Sequence, residues 1–433
     1  MKQRGRHRRR RRGRALRAAL TGAALALTGA ATLISTSQAE VAGDHGALEP
    51  IAVTDALRLT EHRVPAPWLD RLSAAMGGPV SADAVLNSAD HTLRDAADCT
   101  AGEREALPVS PAATRAYCWD AEETRGWRPG AVTTSQDAGA DGRWGSRRVV
   151  LSAWSRDDGT SGASGPARVS FVDADTPGRP AYTSALLAVP VDGGRDYRAL
   201  ASPVSGMVWY RDKLLVTAGA GDRNALYVYD VDRIQRATAD ADAVGRVPGG
   251  WAAYGHRYVL PAVASYRLAG TPDAARPAAL SLDRGTAPEG LVASEYVPDG
   301  ADRPTRLWRY ALGADPAHSG LAATDSAGHV DAREAYETGA TEVVGVLAHR
   351  PPGAARSSWY LDRPAGDGDG PGELWRQDTQ GARAAKCGAD RSRQCWSGPP
   401  GPLAYRADTG ELWSQSGGML FALPLSSLDE TLG

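Results

Sequence analysis

At 433 residues the chain has room for one large all-β domain or two or three ordinary ones. Its 49 Lys plus Arg nearly balance 51 Asp plus Glu, but ten of the positives lie between Lys2 and Arg17, so the chain beyond residue 39 carries 39 against 51, about −12. An acidic body lacks the positive footprint that a phosphate backbone requires, which excludes nucleic acid as the expected partner.

The N-terminus has three parts. The unbroken basic run Arg8 to Arg12 is followed by an apolar, Ala-rich stretch from Ala18 to Ile34, and small residues close it at Ser37-Gln38-Ala39. That order reads as a signal peptide over 1–39 and places the mature protein outside the cell. Arg11-Arg12 is not followed by the aromatic residue of a twin-arginine signal, so the general export route is favoured. The apolar core is short for a membrane span and no later run reaches eighteen apolar residues, so no stable membrane insertion is expected after cleavage; an uncleaved anchor is the alternative. Four cysteines follow, and close spacing in an oxidising compartment pairs Cys99 with Cys118 and Cys387 with Cys395 as structural disulfides.

Glu40 to Glu49 reads as a short arm. From Ile51 the pattern turns helical, with Leu57, Leu59, Trp68, Leu69, Leu72 and Met76 on it and Pro65 and Pro67 interrupting. Ser81 is placed to cap a further helix running to Ala97, with Asp83 in its first turn. Residues 40–126 are therefore expected to be a small helical segment. After Trp127-Arg128-Pro129-Gly130 the character changes to short strands punctuated by Gly, Asp and Pro clusters such as Asp192-Gly193-Gly194 and Pro298-Asp299-Gly300. The strand candidates run from Arg148–Trp154 through Gly206–Thr217, Ala225–Ile234 and Arg257–Leu268 to Met419–Leu425. Asp232–Thr238 reads as a turn of helix in a connection.

A loose repeat runs through this half. Gly372-Glu373-Leu374-Trp375 and Gly410-Glu411-Leu412-Trp413 share a strand start, and Leu307-Trp308-Arg309-Tyr310 is close to it. Small antiparallel sheets with aromatic markers, recurring irregularly every 40 to 60 residues or so, are the mark of a β-propeller. The phrase from Met207 to Val216 resembles the strand pair of secreted actinobacterial β-propellers, a likeness covering about residues 131–433. The expected fold class is all-β: a five-bladed β-propeller over 127–433 behind the helical segment, five blades of roughly 60 residues fitting the length. A β-sandwich pair is the alternative, and explains the recurring Trp less simply.

Chemistry is harder to read than architecture. No G-x-S-x-G or H-E-x-x-H occurs, and the seven histidines beyond the leader form no close ligand pair, so no metal site is expected. Ca2+ is the one cofactor considered, at Gly366 to Glu373, but Pro371 stands where an oxygen ligand belongs and Asp378 holds the twelfth place, which favours a solvated turn. Asp173, Asp230, Glu295 and Glu373 lie in or beside strands, and a convergent pair would support glycoside chemistry at the propeller axis; Glu295 is the first to inspect. Twelve tryptophans against two phenylalanines point elsewhere. Trp308, Trp375 and Trp413 read as core, whereas Trp144 and Trp251 fall in loops as candidates to stack on a sugar or anchor a partner. The Cys387–Cys395 loop presents Arg391 and Arg393, to an acidic partner or as protection of the insert. The leading expectation is an exported, non-catalytic protein that binds a protein or a glycan; the alternative is a glycan-cleaving hydrolase or lyase with axial carboxylates.

Overall fold

In the computed structural model the described residues are 45–433, apart from 139–140, 158–163, 220, 314–319, 323–324, 352, 367–369, 397 and 433. The expected signal peptide and the Asp367–Asp369 part of the calcium candidate lie outside them.

Eight strands organise the chain: β1 (Trp127–Thr134), β2 (Val149–Asp157), β3 (Ser164–Asp173), β4 (Ala181–Val191), β5 (Met207–Tyr210), β6 (Lys213–Thr217), β7 (Asn224–Asp230) and β8 (Tyr258–Leu268). They hydrogen-bond in the order β5-β6-β7-β8-β4-β3-β2-β1, antiparallel except for the parallel pair β8 and β4. The sheet bends until its end strands meet. Trp209 N–H of β5 donates to Thr133 Oγ1 of β1 at 3.2 Å, and a Cβ on Gly130 would sit 1.7 Å from the Val204 carbonyl oxygen, so only glycine fits there. The result is a nearly closed mixed β-barrel.

Period-two patterning explains its packing. Val149, Leu151 and Ala153 of β2, Ala167, Val169 and Phe171 of β3, and Trp209, Tyr229 and Leu260 point into one buried core. The alternate residues are apolar too. Val150, Val172 and Tyr182 pack outward in one cluster, Leu215 and Val228 in a second, Leu186 and Val259 in a third. A wall buried on both faces reads as near-continuous apolar runs, as these strands do.

This corrects the five-bladed propeller and the likeness to secreted actinobacterial propellers. A propeller needs each blade to be its own sheet. Here β8 is eleven residues long, about twice the usual strand. Its first residues pair with β4 and Gln235–Arg236, while its later ones pair with β7 and Leu59–Arg63. One strand with two sets of neighbours fuses what would be separate blades into a thirteen-stranded sheet. Smaller sheets stand beside it: five strands built on Thr305–Ala311, four on Ser358–Pro364, five on Met419–Pro424, and the hairpin Val244–Val247 with Gly250–Ala253.

The segment before β1 is woven into these sheets. It holds helices α1 (Ala66–Met76), α2 (Ala82–Asn87) and α3 (Ala101–Arg104), but also strands Glu49–Ile51, Leu59–Arg63, His91–Thr92, Arg94–Asp95 and Arg115–Cys118, which pair with strands from later in the chain. Residues 46–433 accordingly form one compact unit. Ser81 Oγ caps α2 by accepting from Ala84 N, but the helix stops at Asn87 rather than Ala97. A further helix, α4 (Leu425–Asp429), closes the C-terminus, so helix is not confined to the N-terminal segment. Both disulfides form as paired above, with Cα separations of 6.0 and 4.7 Å. Among the described residues no helix is long and apolar enough to cross a membrane.

Candidate functional site

Sheet register assembles a polar cluster on the outer face of the barrel wall. Trp127 of β1 lies opposite Arg156 of β2, Trp154 of β2 opposite Arg168 of β3, and Arg168 opposite Leu186 of β4. Cross-strand neighbours touch, so two guanidiniums come to rest on the aromatic rings beside them. Arg168 lies 4.3 Å from the Trp127 ring centroid and 5.9 Å from that of Trp154. Arg156 lies 5.8 Å from Trp127 and 5.5 Å from Tyr254.

The turn leading into β8 completes the cluster. His256 N–H donates to the Ala253 carbonyl at 3.0 Å, with Tyr254 and Gly255 both at positive φ, 56° and 75°. Gly255 takes that conformation freely. Tyr254, which carries a Cβ, does so at a cost of about 1 kcal/mol. The turn lays Tyr254 edge-on to Trp127 at 6.3 Å and His256 at 5.6 Å from the same ring. Such strain concentrates where side chains are aimed for a purpose. A cavity of about 280 Å3 opens here, lined among others by Trp127, Arg156, Arg168, Tyr254, His256 and Asp242.

Its charges are mostly matched. Arg168, only 1% exposed, gives Nη1 to Glu123 at 2.7 Å. Arg125 pairs with Glu122, and Arg257 with Asp90 at 3.2 Å. Arg156, half-buried, pairs with no carboxylate among the described residues and is held by ring contacts. Burial pushes the Arg168 guanidinium below its ordinary pKa, with Glu123 opposing. His256 is pushed down to about 3 by burial first, then by Arg168, His91 and Arg156, so its imidazole is neutral at ordinary pH. Behind the cavity wall, Trp119 stands edge-on to Trp154 at 5.1 Å and to Tyr182 at 4.8 Å. The Trp119 and Trp154 indole N–H groups, Arg168 Nε, the Tyr182 hydroxyl and His256 Nε2 are buried and have no hydrogen-bond partner among the described residues. Most are donors, so the region favours oxygen-rich company.

The residues singled out from sequence lie elsewhere. Trp144, a candidate for exposure, is instead 5% exposed inside the barrel, packed on Phe171 and Trp209 at 5.0 and 5.9 Å. Trp251, another candidate for exposure, is 7% exposed, stacks on Tyr197 at 5.7 Å and donates Nε1 to the Ala75 carbonyl. Apolar clusters claim both indoles. Glu295 is buried in an ion cluster with Arg303 at 2.7 Å and Arg306 at 2.9 Å; burial raises its pKa, but hydrogen bonds from Arg306 and Arg303 outweigh it and hold it below the usual range. Asp173 pairs with Arg147, Asp230 with Lys213, and Glu373 with Arg363. Each of the four strand carboxylates thus faces a cation, and the propeller axis on which they were to converge does not exist. Arg391 and Arg393 are exposed, Arg391 at φ 59° and Arg393 over the Trp375 ring at 5.2 Å. Trp308, Trp375 and Trp413 are core residues.

Potential ligand atoms of Cys99, Glu103 and Cys118 lie within 4.8 Å of one another. Both sulfurs are spent in the disulfide and Glu103 is engaged by Arg94 and Thr100, so the group offers no thiolate to a metal. In the sequence Trp127 marks only a boundary and His256 is one of seven histidines with no close ligand partner, while Arg156 and Tyr254 carry no motif. The available signals were a Tyr-Gly pair between apolar runs and arginines inside apolar strands. Comparison with protein-family models and with curated proteins returns no match.

Proposed function

We propose that the chain is an exported binding protein that holds one acidic group, of a small ligand or of a single unit in a glycan, against Arg156. The observation that carries this reading is the imbalance in the cavity: every other arginine lining it faces a carboxylate, while Arg156 is positioned by Trp127 and Tyr254 with its fork unengaged by any carboxylate among the described residues. A planar guanidinium suits an oxyacid bidentately, and stacking fixes its orientation in advance. The cavity lies at the small end of ligand sites, which suits one ring or one acid group rather than a protein surface. Two disulfides support an oxidising compartment. The test is a glycan array probed with the full chain and with Arg156→Ala. Signal on acidic glycans that the variant loses supports the reading; signal only on neutral glycans, or signal unchanged in the variant, rejects it.

A further inference from the structure

We infer that the acid taken by this cavity is a hydroxylated monocarboxylate of the uronic-acid type, its carboxylate on Arg156 and a hydroxyl on Nε2 of His256. The inference rests on the acid-binding reading above and adds two features, the charge of the acid and a second anchor.

The charge follows from the residues that line the cavity. Arg125, Arg168 and Arg257 are matched by Glu122, Glu123 and Asp90. Among the described residues that line the cavity, Arg156 is the one arginine without a carboxylate partner, and Asp242 lines the same cavity. A monoanion meets one guanidinium. A phosphate dianion would bring a second negative charge beside Asp242 with no cation to face it, at a desolvation cost that a matched site avoids.

The second anchor is His256. Its ring lies 5.6 Å from Trp127, whose indole also carries Arg156, so both groups border the same space. Its Nε2 has no hydrogen-bond partner among the described residues. A neutral imidazole offers one donor and one acceptor, which a hydroxyl satisfies in either sense. Sugar-face stacking is not the recognition mode, because guanidiniums already lie over Trp127. Oxygen atoms at two positions are therefore read together: two on the carboxylate and one on a hydroxyl. A site built to hydrogen-bond a hydroxyl discriminates strongly against an analogue that lacks it.

The experiment is isothermal titration of the full chain with four probes: glucuronate, glucose, cyclohexanecarboxylate and glucose 6-phosphate. Glucuronate is expected to bind, with the other three at least about tenfold weaker, a factor that corresponds to one modest hydrogen bond. His256→Phe is expected to bring glucuronate down to the level of cyclohexanecarboxylate. His256→Gln, which keeps a hydrogen-bonding group and guards against a folding defect, is expected to retain part of the difference. Equal binding of glucuronate and cyclohexanecarboxylate overturns the hydroxyl anchor while leaving the acid site standing. Tighter binding of glucose 6-phosphate overturns the monoanion. Failure of every acid to bind overturns this inference together with the reading beneath it.

Discussion

The guanidinium of Arg168 lies 4.3 Å from the ring centroid of Trp127 and is closed off from solvent between that ring and its ion partner Glu123. A buried cation stays charged here because a carboxylate and an aromatic face replace the water it has lost. Everything else in the cluster is arranged around the same indole.

Removing one member of a buried pair strands the other. Arg168→Met is expected to destabilise the fold by about 3 kcal/mol, because Glu123 then lies beside apolar surface without its partner. Adding Glu123→Gln should recover part of that loss. Urea unfolding of the two variants checks it, and a loss under about 1 kcal/mol for the single change would show that the pair is dispensable.

His256 gives a pH dependence with a definite sign. Its folded pKa of about 3 lies below the ordinary 6.5, so below pH 6.5 the unfolded chain binds a proton that the folded chain refuses. Stability from this group is intact above pH 6.5 and drains away as pH falls toward 3. Between pH 7 and 5 the loss is about 2 kcal/mol. Burial enforces it first, then Arg168, His91 and Arg156, and Glu123, Asp90 and Asp242 line the same cavity. In His256→Phe the stability at pH 5 relative to pH 7, read by urea unfolding, is expected to rise above the wild-type difference by that amount; an unchanged difference would mean that the imidazole protonates freely.

Asp362 acts in the opposite direction. Wholly buried in the strand Ser358–Pro364, it accepts from Trp396 Nε1 at 2.7 Å and from Gly401 N at 2.9 Å, tying the stretch after the second disulfide to the sheet. Burial raises its pKa to about 8, against the pull of those hydrogen bonds. The unfolded carboxyl ionises near 3.8, so stability from this group is complete below that and is lost as pH rises through 8. Asp362→Asn, keeping an acceptor for Trp396, should remove a fall of roughly 2.5 kcal/mol between pH 5 and 7. The two titrations overlap and oppose, so the wild-type curve is expected to be flatter there than either variant's. Thermal melts across that range would contradict the assignment if Asp362→Asn merely lowered stability at every pH.

The two disulfides differ in the loop they close. Cys99–Cys118 spans 19 residues and Cys387–Cys395 spans 8, which in the chain-entropy picture corresponds to about 3 and about 2.5 kcal/mol. Replacing each pair by serine should lower the melting temperature more for the first than for the second. The reverse order would point to a local packing role for the second bridge around Trp396.

Strand positions were legible because period-two patterning and Gly/Asp/Pro punctuation are local. Tyr182–Val191 and Met419–Leu425 match their strands to within one residue, and Arg168–Asp173 falls inside Ser164–Asp173. Assembly was not legible, because it turns on which edges pair. That the run Arg257–Leu268 would split its edges among four partners is a tertiary choice that no local pattern encodes. Strands before residue 127 were missed for the same reason: Arg94–Asp95 is two residues long and exists only because Arg115–Cys118 lies beside it. The site was missed because its residues carry no motif. Trp127, Arg156, Arg168 and His256 are spread over 130 positions and meet only through sheet register and one strained turn. The Trp count did not point to exposed indoles at Trp144 and Trp251, which sit beside glycine-rich turns yet fold into apolar clusters.

The most direct test of the central claim is a crystal structure of the protein soaked with an acidic oligosaccharide. Density for a carboxylate forked onto the Arg156 guanidinium, beside Trp127 and Tyr254, is the expected result. A ligand bound elsewhere on the surface, with Arg156 still resting on its rings and that cavity unengaged, would contradict it.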